Sequence, residues 1–271
     1  MREMLVVIGA LGHPEWQAAA RRQRRELSRR FGTRVCIEIF SNRELFEIVD
    51  SREKEFILQN SSVGFGLWYW KPLIILEAIN RNKMVEKVFY SDAGNEISWK
   101  MGQRNEGSKS NLEFSSPPLL PDRLLCLSGE DEKKWCNPEV FKEIGINSRW
   151  NEDQIQAGLF TFSSEEMVEI CRHWRHFMKQ DNFRLLRSKA GTNNGLKWKS
   201  RHDQSIFNCI VKKMFEPEDC VKLNSVDLFN SYGIAYSRNR SMISTSSLFY
   251  KSRLCRRLVS NYSIKRFYSG I

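Results

Sequence analysis

Short apolar runs rich in β-branched residues alternate along this chain with stretches whose apolar positions return every three or four residues. Leu5 to Ala10 is the first such run, and after a Gly-His-Pro turn the pattern predicts a strongly basic helix from about Glu15 to Arg30. The arginines of that helix, Arg21, Arg22, Arg24, Arg25, Arg29 and Arg30, read as a solvated face. Thr33 to Phe40 is a second strand, and Ser41 followed by Glu44 is a capping box for the next helix. Beyond GFGLWYW, Lys71-Pro72 opens a helix through LIILEAIN. Proline is tolerated there because its missing N–H would have no partner in a first turn. Lys87 to Ser91 is the next strand, and it delivers YSDAGNE, Tyr90 to Glu96, at its C-terminal end.

The second half repeats the alternation. Gln154 to Phe162 reads as a strand, and Ser163 with Glu166 starts a helix on which Met167, Ile170, Cys171, Trp174, Phe177 and Met178 form a core-facing stripe. The Gly/Asn-rich GTNNGLKWKSRHD leads into DQSIFNCIVKKM, a helix expected to bury Ile206, Phe207, Ile210, Val211 and Met214. Between the halves, Ser98 to Asn147 carries GQRNEGSKSN and SSPPLLPD, which read as irregular unless partly helical, a functional loop or mobile insertion in which no element is placed. Strand and helix in this order predict an α/β sheet, whose ligands collect outside the carboxyl ends of the strands.

Composition narrows the class. A chain of 271 residues, 41% hydrophobic and 28% charged, has enough apolar material for a real core and does not read as disordered. No segment approaches the length of an apolar membrane span, and the apolar run in MREMLVVIGALGHPEW is too short for a secretory signal, so the expected compartment is the cytoplasm. Seven scattered cysteines (Cys36, Cys126, Cys136, Cys171, Cys209, Cys220, Cys255) without a CxxC pair read as reduced thiols.

The net charge of +11 is uneven, because Tyr236 to Ile271 holds eight basic residues and no acidic one, leaving +3 for the first 235 residues. The organisation expected is one domain, 1–235, followed by a basic extension, 236–271. Within the extension Leu248, Cys255, Leu258 and Val259 fall near one helical face, with Lys251, Arg253, Arg256 and Arg257 around the rest. That pattern suits peripheral contact with an anionic surface at the cytoplasmic membrane; capping of the domain and binding of a protein partner are its alternatives. A nucleic-acid-binding protein is the rival reading that a pI near 9.4 raises, although aromatic and basic residues are not interleaved as a single-strand platform.

Candidate chemistry gathers at two places. Asp92 and Glu96 follow a strand directly, with Gly94 between them allowing a tight turn and close approach of a ligand, and such hard oxygen donors suit Mg²⁺ or Mn²⁺ completed by a diphosphate; a turn-capping aspartate is the plainer reading. His202-Asp203-Gln204 opens a helix, where Asp203 reads either as an N-cap or as a site residue, and His202 as an acid, base, ligand or structural group. Lys197, Lys199 and Arg201 sit on the preceding loop, either closing over an anionic substrate or lying on the surface.

In this order, GFGLWYWKPLIILEAI, VFYSDAGNEI, QIQAGLFTF and RHDQSIFNCI resemble the Trp-Lys-Pro, Tyr-Leu-Asp-Ala-Gly, Gln-x-Gly and His-Asp-Gln-Ser segments of a group of bacterial and viral sugar-nucleotide glycosyltransferases of the type A fold. The resemblance runs from about Leu5 to Lys213, and more distantly it extends to the glycogenin-related enzymes. It implies a single type A glycosyltransferase-like domain, with a mixed central sheet flanked by helices, that moves a sugar from a nucleoside diphosphate donor to a hydroxyl of a glycan or lipid-linked glycan. The motifs of the distant relatives fall on Asp92, Ala93 and Gly94, on Gln156 to Gly158, and on Asp203 and Gln204. The resemblance therefore implies catalytic roles for Asp203, Gln204 and Gln156. It implies donor contacts from Asp92, Ala93, Gly94, Lys71, Trp70 or Trp68, Gly158, Lys199 and Arg201, and a Mn²⁺ or Mg²⁺ ion on Asp92, Glu96 and His202. The chain departs from the relatives in having Gly94 where their second aspartate stands and no histidine beyond His202. Retention of configuration is the outcome the glycogenin likeness implies; were the reaction inverting, Asp203 would be the general base. A non-catalytic glycan- or nucleotide-binding module of the same fold is the remaining alternative.

Overall fold

β1 (Met4–Gly9) is buried along its whole length because its alternate side chains enter two different cores. Leu5 and Val7 face one layer, Met4, Val6 and Ile8 the other. Helix α1 (Pro14–Phe31) follows, then β2 (Val35–Ile39), α2 (Asn42–Ile48), α3 (Ser51–Gln59), the short α4 (Gly64–Leu67), α5 (Lys71–Arg81), β3 (Lys87–Asp92) and β4 (Glu96–Ile97). The second half contributes β5 (Leu124–Leu127), α6 (Glu132–Trp135), α7 (Pro138–Ile144), β6 (Ile155–Ser163), α8 (Ser164–Arg187), β7 (Gly191–Asn193), β8 (Leu196–Trp198), α9 (Asp203–Met214), β9 (Val221–Leu223), α10 (Ser225–Tyr232) and β10 (Ile234–Ala235). The structure, a computed structural model, describes residues 2–97, 119–128, 132–146, 153–187, 191–193, 196–198 and 201–236.

The described strands form a six-stranded sheet in the order β2-β1-β3-β6-β5-β9. β1 runs parallel to β2 and β3, while β6 is antiparallel to both β3 and β5, so the sheet is mixed and flanked by helices on both faces. On one face Tyr90, Phe160 and Phe162 pack with Trp174 of α8 and Phe207 of α9. On the other, Phe89 and Leu159 pack with Ala19, Ala20 and Leu27 of α1 and Leu228 of α10. Six of the seven cysteines lie buried and unpaired in this interior; Cys255 is outside the described residues.

The predicted capping boxes form at both places, Ser41 with Glu44 and Ser163 with Glu166, and the stripe on α8 faces the core as its spacing requires. Part of the Ser98 to Asn147 segment forms β5, α6 and α7, so it is partly helical, and the sequence pattern placed none of the three. The solvated face assigned to α1 needs correcting. Arg22 and Arg30 are 1% and 6% exposed, because the helix packs on the sheet, where Arg22 reaches the carbonyls of Ala93 and Asn95 and Arg30 lies over the Phe31 ring, whereas Arg21, Arg24, Arg25 and Arg29 are exposed. Among the described residues no helix is long and apolar enough to cross a membrane. The predicted basic pattern from Leu248 to Val259 lies outside them.

Candidate active site

Parallel pairing aligns Gly9 of β1 with Asp92, the last residue of β3. Antiparallel β6 enters beside β3 with Leu159 opposite Ser91, which brings Gly158 level with Asp92. Two helices begin at this same edge: α5 with Lys71 as its first residue and α9 with Asp203 as its first residue. Helix N-termini favour nearby carboxylates. The N-cap position of α9 belongs to His202, which makes no side-chain capping bond, so Asp203 is not the turn cap that the plainer sequence reading allowed.

The two aspartates share one ammonium. Lys71 Nζ stands 3.4 Å from each carboxylate oxygen of Asp92 and 3.1 Å from Oδ2 of Asp203, and it donates to the Ala157 carbonyl at 2.9 Å. Its contact with Asp203 is close but poorly aligned for a hydrogen bond, so that attraction is chiefly Coulombic. The Lys71 and Asp203 side chains are 4% and 5% exposed, whereas Asp92 keeps 31% of its side chain open. Burial works against the Lys71 charge, but Asp203 and Asp92 outweigh it and hold the ammonium above its ordinary range. For Asp203 burial prevails over the pull of Lys71 and pushes the carboxyl up to about 7. Removing either partner of such a pair strands a buried charge, at a cost of about 3–5 kcal/mol.

Tyr90 completes the hold on Asp92. Its hydroxyl donates to Asp92 Oδ1 at 2.7 Å, and burial together with that carboxylate raises its ionisation well above the ordinary phenol value. A methyl group at Gly9 would overlap the Tyr90 oxygen, so this hydrogen bond depends on a residue without Cβ in the adjoining strand. Gly158 plays the corresponding part in front, since a Cβ there would stand 2.7 Å from both Asp92 Oδ2 and Tyr236 Oη.

Beneath the turn, α1 supplies the support. Arg22 Nη2 donates to the carbonyls of Ala93 and Asn95 at 3.0 and 2.7 Å. Gln23 Nε2 donates to Ser91 Oγ at 2.7 Å, and Asn95 Nδ2 bridges Ser91 Oγ and the Gly158 carbonyl at 3.0 Å each. At the other motif, Asn208 accepts from the Ile155 N–H at 2.9 Å and the Trp174 indole donates to the Asp203 carbonyl at 3.1 Å. Sequence reasoning missed Arg22, Gln23, Asn95, Tyr90 and Tyr236. Tyr90 and Asn95 stand inside the YSDAGNE stretch, which was a usable signal; Arg22 and Tyr236 have none.

The remaining predicted residues divide. Trp70 is core, 3% exposed, with its indole N–H on the Gly64 carbonyl at 3.1 Å. Trp68 is half-buried, its ring 6.0 Å from Lys71 Nζ and 6.3 Å from the His202 ring, which makes it the tryptophan of this site. It ends a run of positive φ from Gly64 through Trp68, in which Phe65, Leu67 and Trp68 each bear about 1–2 kcal/mol of left-handed strain. Gln156 is buried and Gln204 bonds to Gln154 at 2.7 Å, so both brace the site wall. Ala93 is buried in the turn with Gly94 beside it. Arg201 stacks over Trp135 at 4.3 Å, Lys197 lies on β8, and Lys199 is outside the described residues.

The three predicted metal ligands are not assembled together. Glu96 is 2% exposed and its charge acts on the Arg22 guanidinium beneath the turn. His202 lies on the site side, with Nδ1 2.7 Å from the Leu186 carbonyl, and burial lowers its basicity. Among the described residues no three His, Cys, Asp or Glu side chains gather to hold an ion. No protein-family model matches the chain, and no curated protein matches it.

Proposed function

We propose that this chain is a glycosyltransferase of type A architecture, moving a sugar from a nucleoside diphosphate donor to a hydroxyl of a glycan or glycolipid acceptor. The observation that carries the reading is the sharing of Lys71 by Asp92 and Asp203, residues from two separate motifs, at the edge of the sheet where parallel strands end. In the reaction the anomeric C–O bond to the diphosphate breaks, the diphosphate keeps the electron pair, and a bond from the acceptor oxygen forms. The acceptor proton passes to Asp203 or to the departing diphosphate. Asp92, the more open carboxylate, lines the donor side, with the exposed part of Trp68 as a face for a sugar or base. The positive charge that the diphosphate requires comes from Mn²⁺ or Mg²⁺ in the resembling enzymes; here Lys71 already stands between the carboxylates.

Release of nucleoside diphosphate from a panel of nucleotide sugars tests the reading. Turnover of at least one donor, reduced about 100-fold or more in Asp92→Asn and Asp203→Asn with the fold retained, is expected. Full turnover in both variants, or no donor bound or cleaved by the wild-type chain, would remove it.

A further inference from the structure

We infer that Lys71 is the resident cation of this site: its ammonium occupies the point between Asp92, Asp203 and the Ala157 carbonyl at which a divalent ion would have to bind. Three hard oxygen donors converge there, at 2.9 Å from Ala157, 3.1 Å from Asp203 and 3.4 Å from Asp92. This is a donor set of the kind Mg²⁺ or Mn²⁺ takes, drawn from three separate segments. It differs from the set of Asp92, Glu96 and His202 that the sequence suggested. The spacing belongs to an ammonium, since Mg²⁺ would draw its oxygens in to about 2.1 Å.

The plug is well held. Lys71 is the first residue of α5, so its backbone is fixed by the helix, and its Nζ lies 5.7 Å from the Tyr90 ring and 6.0 Å from the Trp68 ring, between two aromatic faces. An ammonium and a divalent ion cannot share one point, and the repulsion between them at such a distance is strong in a buried setting. Divalent cations are therefore excluded while Lys71 is in place, and any donor binds to the ammonium-filled site. The statement about the donor rests on the sugar-transfer reading; the statement about the cation does not.

Mn²⁺ titration of the full chain, followed by electron paramagnetic resonance and by calorimetry, tests the inference. Wild-type protein is expected to bind Mn²⁺ no more tightly than about millimolar. Lys71→Met is expected to bind at least about tenfold more tightly, with the gain lost in Lys71→Met/Asp92→Asn. Because Lys71→Met strands the buried Asp203 carboxylate and leaves Asp92 without its cation, its melting temperature is measured in chelator and in Mn²⁺, and a rise specific to the metal is expected even if the variant is poorly folded without it. Micromolar Mn²⁺ binding by the wild type that Asp92→Asn abolishes would overturn the inference, as would a Lys71→Met chain that neither binds nor is stabilised by Mn²⁺. A chain that behaves as expected toward Mn²⁺ but binds no nucleotide sugar in chelator keeps the cation assignment and fails the donor reading alone.

Discussion

Nδ2 of Asn95 donates to the Gly158 carbonyl at 3.0 Å and so joins the turn after β3 to the strand that forms the other wall of the site. The same amide group reaches Ser91 Oγ, and Arg22 holds the carbonyls of Ala93 and Asn95 from below. All of these groups are buried, so truncation leaves unpaired donors and acceptors, each a loss of about 1–3 kcal/mol. Asn95→Ala and Arg22→Met should each lower stability by about that much in urea titration and cut turnover more than they raise KM. Variants as stable and active as the wild type would show that the turn holds itself.

The Tyr90 hydroxyl needs the empty space above Gly9. Gly9→Ala should cost about 3 kcal/mol, because a Cβ in this buried strand overlaps the Tyr90 oxygen and crowds the Trp70 ring, and the worse of the two clashes is relieved by moving Tyr90 off Asp92. Tyr90→Phe removes the colliding oxygen. The double variant Gly9→Ala/Tyr90→Phe should therefore recover a large part of the stability lost in Gly9→Ala, a non-additivity read from thermal melts of the four proteins. Strict additivity would mean that the two residues do not meet.

Much of the scaffold is legible in the sequence because it follows from local rules. Caps at Ser41 and Ser163, the proline at the start of α5 and the apolar stripe of α8 each involve residues within a turn or two of one another. Asp92 and Asp203 were also legible as candidates, each opening or closing a predicted element. What stayed hidden depends on contacts far apart in the chain. Arg22 lies 71 residues from the Ala93 carbonyl it holds, and nothing local separates it from the exposed Arg21 and Arg24. Lys71 lies 86 residues from the Ala157 carbonyl, and nothing local marks it as a buried side chain. The left-handed run from Phe65 to Trp68 has no propensity signal either, since it is sustained by tertiary packing, with Phe65 against Phe46, Gly66 against Ile57 and Trp68 beside His202.

Gly158 offers a test of the open side of the site. A Cβ there meets the tips of the Asp92 and Tyr236 side chains, both of which can move aside, so Gly158→Ala should leave the melting temperature nearly unchanged. It should nevertheless displace the Asp92 carboxylate by a fraction of its reach, and misplacements on the order of 1 Å are worth about 100-fold in rate. A fall in activity of that order with stability intact is expected. Loss of stability without selective loss of activity would place Gly158 among the packing residues only.

Behind Trp68 stands a second buried ion group, and it gives the protein an acid-sensitive support. Glu53 is fully buried; its Oε1 accepts from the Tyr69 hydroxyl at 2.5 Å and from Arg175 at 2.6 Å, with Lys179 at 3.3 Å. Burial opposes its charge, but those donors outweigh it and hold the carboxyl below its ordinary value of 4.5. A carboxyl depressed in the folded state binds its proton more readily once unfolded. Its contribution to stability is therefore complete above the unfolded value and is lost as pH falls through the folded one. Glu53→Gln should cost about 3 kcal/mol at pH 7, where the wild type has the full ion group. The difference should narrow as both proteins are melted from pH 5 down toward pH 3. Because Tyr69 follows Trp68 directly, the variant should also loosen the left-handed run, seen as a gain in tryptophan quenching by acrylamide. A stability difference constant across that pH range would mean that the Glu53 carboxylate contributes by shape alone.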